Sequence, residues 1–160
     1  MTLTANVNTQ YREGDQPQYI SLSFGKTNYL VPQSSIVAIE TLSDVNLEKA
    51  GDNVSPCLSY NNSKLPLYSL SEQLDIERSI SSTKTICIIL EYQGRRIALM
   101  CTEATPFKYD ITKITPLPEC MRALPNPIES VCLCKIGDES AVYFVISATA
   151  LFKYIDQCST

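Results

Sequence analysis

Apolar residues in this chain fall in short runs. Polar breaks carrying Gly, Pro, Asn or Ser separate them, which is a pattern of strands and turns with little long-helix periodicity. The clearest stretch is Lys84–Cys101, KTICIILEYQGRRIALMC. Two runs rich in β-branched residues, Thr85–Leu90 and Ile97–Cys101, flank a polar centre with Gln93-Gly94, so the stretch predicts a β-hairpin. Ile86 to Leu90 is apolar without alternation, which predicts a strand covered on both faces. The hairpin is therefore expected to be core, with no chemistry of its own.

The same reading extends along the chain. Residues 1–17 are polar and aperiodic and are expected to form a flexible tail. Tyr19–Phe24 and Tyr29–Val31 predict a hairpin turning at Gly25-Lys26-Thr27-Asn28, and Ile36–Ile39 a third strand after a break at 32–35. Leu42 to Pro56 reads as a long polar connection. Cys57–Tyr60 and Lys64–Tyr68 flank Asn61-Asn62-Ser63, a second hairpin whose Asn residues tolerate positive φ. Pro66 is expected at an edge or a bulge, because it cannot donate to a ladder. Ser69–Leu74 is expected to be a short helix with Ser69 as N-cap and Glu72 as its capping-box partner. Glu77 to Thr83 reads as a polar linker, and Thr102 to Asn126 is studded with proline, with extended pieces at Phe107–Tyr109 and Ile111–Thr115. Val131–Ile136 and Ala141–Ile146 predict a last hairpin, and a Ser-capped helix is expected over about Ser147–Ile155, with Leu151, Tyr154 and Ile155 on one face.

This order repeats. Each half opens with a hairpin, passes through an irregular middle, and closes with a hairpin and a short helix. The expected fold is mostly β: two small five-stranded β-barrel lobes packed together, with short helices closing each lobe. The lobes would span about 18–76 and 84–155 of one domain covering 18–155.

Composition narrows the chemistry. Of 160 residues 44% are hydrophobic and 19% charged, which is globular and not disordered composition. The net charge of −4, without a Lys/Arg cluster, gives no footprint for nucleic acid. The apolar runs fall short of the ~18 residues of a membrane span, and the polar N-terminus has no signal-peptide core; a soluble, cytoplasmic protein without membrane insertion is expected. The seven cysteines include no C-x-x-C, and there is no His, so His-based triads, His general bases and His metal ligands are excluded. The cysteines read as small apolar residues. No cofactor, no metal and no enzyme activity is expected.

The residues also resemble a known family. Gly94-Arg95-Arg96 before the Ile97–Met100 strand, Ile114-Thr115-Pro116-Leu117-Pro118, the last hairpin and helix, and Leu65-Pro66-Leu67-Tyr68-Ser69-Leu70 together resemble CheW-like domains, the scaffolds of bacterial chemosensory arrays. The likeness covers about Tyr19–Tyr154. The chain departs from the family pattern at polar positions. Ser59, Tyr60, Asn61 and Asn62 stand where the family carries Asn-x-Arg-Gly, so Asn61 replaces an Arg. Ser69 and Cys101 stand where it carries Asp, and Ala38 where it carries Glu. These read as surface changes that shift the partner set.

The resemblance implies a non-catalytic adaptor that joins the cytoplasmic tip of a methyl-accepting chemoreceptor to the regulatory domain of a CheA-type histidine kinase, with other CheW-like proteins as further partners. Flagellar chemotaxis and type IV pilus-driven twitching motility are both open. For the receptor contact it implies Ile36, Val37 and Glu40 on the third strand, and Leu58 and Asn61 at the second hairpin. By pattern alone these are ordinary strand and turn residues. The competing class is a two-barrel nucleic-acid module with tyrosines for stacking, which the acidic balance disfavours. A cysteine enzyme is a third option.

Overall fold

The structure is a computed structural model that describes residues 18–41, 46–48, 57–77 and 83–158. The expected tail at 1–17 lies outside the described residues, as does most of the polar linker, 78–82. The protein is mostly β, with few short helices. Twelve strands are observed: β1 (Tyr19–Phe24), β2 (Thr27–Pro32), β3 (Ile36–Thr41), β4 (Asn46–Glu48), β5 (Cys57–Tyr60), β6 (Ser63–Ser69), β7 (Ile86–Tyr92), β8 (Arg95–Cys101), β9 (Glu103–Pro106), β10 (Asp110–Pro116), β11 (Ile128–Ile136) and β12 (Glu139–Ile146). A 3-10 turn at Gln33–Ser35 and the helices α1 (Glu119–Arg122) and α2 (Ala148–Cys158) complete the described elements.

The strands form two six-stranded sheets, one in the order β10-β11-β12-β2-β1-β9 and the other β3-β7-β8-β6-β5-β4, one of them curled as a half-barrel. Hairpins supply the local antiparallel pairs, and one long-range parallel pair joins them in each sheet. Tyr29 and Leu30 of β2 lie beside Phe144 and Val145 of β12, and Leu67 to Ser69 of β6 lie beside Ala98 to Met100 of β8.

These parallel pairs explain how the compact units are composed. Among the described residues, one unit holds 18–21, Asn28–Ser35 and 105–158; the other holds Leu22–Thr27 and those between 36 and 104. The successive halves 18–76 and 84–155 are therefore each divided between units: the first because β2 pairs with β12, the second because β7 and β8 pair with β3 and β6. In the unit holding β3–β8, Leu58, Leu65, Leu67, Cys87, Ile89, Ala98 and Met100 form a core against which Ala38 and Tyr60 pack. In the other, Tyr19, Leu30, Ile111, Cys132, Cys134 and Val145 form a core edged by Phe107 and Tyr143, whose rings meet edge-on at 5.0 Å.

Turn chemistry follows the sequence closely. Gln93 and Gly94 have φ of 51° and 79°, and Asn61 and Asn62 have 48° and 65°, the positive φ at both central residues that a mirror-image hairpin turn requires. Ser147 caps α2, its Oγ accepting from Ala150 N at 3.0 Å. Leu151, Tyr154 and Ile155 are buried on one face of that helix as expected.

Four local expectations are corrected. No helix forms at Ser69–Leu74: Ser69 ends β6, Leu70 bridges to Ile76, and a turn closes with Ser71 and Asp75 exchanging backbone and side-chain hydrogen bonds. The Ser69 hydroxyl has charged partners, described below, and does not cap. Pro66 lies on an interior strand, not an edge; the register of β6 with β8 begins only at Leu67, so the missing N–H falls outside that ladder. Within the connection 42–56, residues 46–48 form β4 and pair with β5, while the rest lies outside the described residues. In the proline-rich segment the strands are β9 and β10, and Phe107–Tyr109 joins them without being a strand.

Candidate partner-binding surface

The expected contact residues begin on β3, an edge strand of its sheet. Ile36 pairs with Leu90, and Ala38 with Ile89, so Val37 is the extra residue of a β-bulge. The bulge turns Val37 outward, and it is 38% exposed, whereas Ile36 is buried. Beyond the bulge, alternation sets Ala38 against the core and Glu40 on the same face. Glu40 is half-buried and stands opposite Cys87. Burial, and after it the Glu40 carboxylate, push the Cys87 thiol up to about 11. A carboxyl group thus stands at the margin of an apolar interior, on the face of β3 opposite to that of the outward Val37.

Leu58 and Asn61 are placed differently. Leu58 is fully buried in the core of its unit, so it holds β5 in place and offers no surface. Asn61 is exposed at the tip of the β5–β6 turn. Three strands separate β5 from β3 in the ladder, although Ala38 and Tyr60 reach the same core. Exposed Val37, half-buried Glu40 and exposed Asn61 are therefore the members of the expected set that present any surface.

The departures from the family pattern are not all surface changes. Ser59 and Asn61 are exposed, but Cys101 and Ser69 are buried and Ala38 faces the core. At Ser69 the change belongs to a polar network built from residues distant in the chain. Lys84 Nζ, on a residue 5% exposed, donates to Ser69 Oγ at 2.8 Å, to the Leu70 carbonyl, and to Glu77 Oε1 at 2.5 Å. Ser69 Oγ in turn donates to Glu77 Oε1 at 2.7 Å, and the ammonium lies 5.6 Å from the centre of the Phe24 ring. The hydrogen bond from Lys84, and then that from Ser69, hold the Glu77 carboxyl below its ordinary value against the opposing effect of burial. The available signal was a lone Lys at the mouth of an apolar strand, with a small hydroxyl residue at a family carboxylate position.

A second turn is similarly fastened. Glu72 Oε1 accepts from Lys26 N at 3.1 Å, and a Cβ on Gly25 would lie 2.2 Å from that oxygen. Gly25 has φ +69°, so glycine is required there both for the backbone and for the approach of the carboxylate.

Burial raises the thiols of Cys101 to about 12 and Cys132 to about 11, and that of Cys134 also moves up. These cysteines are packing residues, held protonated. Among the described residues no group of His, Cys, Asp or Glu is placed to hold a metal ion, and no helix is long and apolar enough to cross a membrane.

Comparison with known proteins gives a consistent family. The CheW-like domain family matches residues 18–153. No curated protein matches. Among solved structures, the scaffolding protein TtCheW from Thermoanaerobacter tengcongensis superposes with a TM-score of 0.63 at 16% identity, over 82% of this chain and 89% of that one. At that identity the likeness is one of fold.

Proposed function

The chain belongs to the CheW-like domain family, and from that membership we propose that it is a non-catalytic chemosensory scaffold coupling chemoreceptors to a CheA-type histidine kinase. The match over residues 18–153 carries this reading. The kinase's regulatory domain is the first partner, and other CheW-like proteins are further ones. The tip of a methyl-accepting receptor is the second partner. A helix there would set its apolar face near Val37, with Glu40 and Asn61 at the polar margin and Ile36 and Leu58 supporting their strands from within. The output is control of flagellar or twitching motility in the cytoplasm.

Calorimetric titration of the full chain with the regulatory domain of the cognate kinase tests the first step. Saturable binding with Kd on the order of micromolar is expected, and absence of binding at high concentration overturns the proposal. The receptor contact is tested with a soluble receptor tip. Asn61→Arg restores the charge of the family position and is expected to strengthen binding severalfold; an unchanged affinity removes Asn61 from that contact.

A further inference from the structure

The unit that holds β10–β12 contains a cleft of about 360 Å³ between α2 and the segment that joins β10 to β11. Leu117 and Tyr154, both buried, are among the residues that line it. Its rim is built by a segment fixed in shape. Asn126 Nδ2 donates to the carbonyls of Met121 and Leu124 at 3.0 Å each, and Asn126 Oδ1 accepts from Ile128 N at 2.9 Å. Pinned in this way, Leu124 lines the cleft while 76% exposed, more than any other large hydrophobic described. Met121, three positions earlier in the chain, is exposed as well.

Charge at the cleft is one-sided. Arg122 and Lys153 line it, and no Asp or Glu does. Neither cation has an ion-pair partner among the described residues, and Glu119, the acid one turn before Arg122, lies outside the lining. This doubly positive lining stands on a chain whose net charge is −4.

We propose that the cleft is an additional interaction surface for an acidic segment of a partner polypeptide. One of the segment's apolar side chains seats against Leu117, Leu124 and Tyr154, and its carboxylates sit on Arg122 and Lys153. The volume suits one or two side chains and is at the lower end of small-ligand sites. Exposed Leu124 and Met121 carry the apolar surface past the cleft, along the path a chain would follow. Charge complementarity selects the occupant, because the rim attracts carboxylates while the rest of the acidic molecule repels them. An anionic membrane is the less favoured occupant, since a concave site gives no wedge for a lipid surface and the net negative charge opposes approach to one. The proposal does not rest on the receptor and kinase assignments: none of Val37, Glu40 and Asn61 lines this cleft.

The test is an NMR titration of the full 15N-labelled chain with a short acetylated peptide in which leucines alternate with glutamates. The same peptide with glutamines and vesicles containing phosphatidylserine are the comparison arms. Saturable shifts confined to residues 117–128 and 150–157, weakening as salt rises, are expected. Arg122→Glu combined with Lys153→Glu should weaken binding about tenfold or more, and should make a lysine version of the peptide bind. Leu124→Ser, at an exposed position, should weaken binding of the glutamate peptide without altering the spectrum elsewhere. Equal binding of the glutamine peptide, shifts outside these segments, no shifts at millimolar peptide, or binding to vesicles alone each overturns the proposal.

Discussion

Lys84 in one unit and the pair Arg122 and Lys153 in the other are cations of similar reach in opposite settings. Lys84 is enclosed at the start of β7, and its ammonium has three oxygen partners and an aromatic ring. Arg122 and Lys153 line a cleft and have no carboxylate partner among the described residues. A buried ammonium is tolerable only when its donors are satisfied. Its partners are thereby committed to the fold, and the charge is invisible from outside. A cation at a surface carries little desolvation cost and remains available to a partner. The location of charge, more than its amount, separates the unit's framework from its surface.

The largest expected contrast is in thiol reactivity. Cys101, pushed up to about 12 by burial and by Cys87, has a thiolate fraction on the order of 10⁻⁴ at pH 8. Timed alkylation with mass-spectrometric mapping should label exposed Cys120 and Cys158 first, with Cys87 slower by about a hundredfold and Cys101 by about a thousandfold. Fast labelling of Cys101 in the native chain would mean that the interior of its unit opens readily.

Side-chain truncation gives the next contrast. Leu58→Ala should lower unfolding stability by about 3 kcal/mol, and Leu124→Ala by less than about 0.5 kcal/mol, both read from urea midpoints. A similar cost at both sites would erase the distinction between core and display. The charge pair follows. Lys84→Ala leaves the Leu70 carbonyl and Glu77 without their cation and should cost about 2–3 kcal/mol. Lys153→Ala should stay within about 0.5 kcal/mol.

The smallest effect is one of pH. The folded-state value of Glu77 is below its unfolded value, so the unfolded chain binds more protons between the two. The stability from this network is fully present above the ordinary carboxylate value and is lost as pH falls through the lowered one. Acid titration of the thermal midpoint should show this slope, and Glu77→Gln should flatten it. An unchanged slope would assign the acid sensitivity to other carboxylates.

Much of the fold was legible because it is local. The Gln93-Gly94 turn, the Asn61-Asn62 turn and the Ser147 cap each follow from a few adjacent residues and adopt the expected geometry. What was not legible depends on distant partners. The parallel pairs of β2 with β12 and β6 with β8 leave no trace in periodicity, so hairpins could be read but not allotted to units. Ser69 followed by Glu72 satisfies the rule for a helix start, yet Lys84, fifteen positions on, claims the hydroxyl. The bulge at Val37 was equally hidden, since it appears only against the register of Leu90 and Ile89. Of the candidate contact residues, the strand and turn could be chosen from family position, but exposure could not: Leu58 is core and Val37 is not.

The pairing of β2 with β12 also has a consequence during synthesis. Tyr29 and its neighbour Phe144 are 115 positions apart, so at roughly 5–20 residues per second the ribosome delivers the second on the order of ten seconds after the first. Every pairing of the other sheet lies within residues 36–101, and that sheet can be complete before β12 has been made. Meanwhile the hairpin of β1 and β2, with Ile20, Leu22, Leu30 and Val31, has emerged without its permanent neighbour. During that interval its unpaired edge is open to a chaperone and to the same hairpin of another unfinished copy.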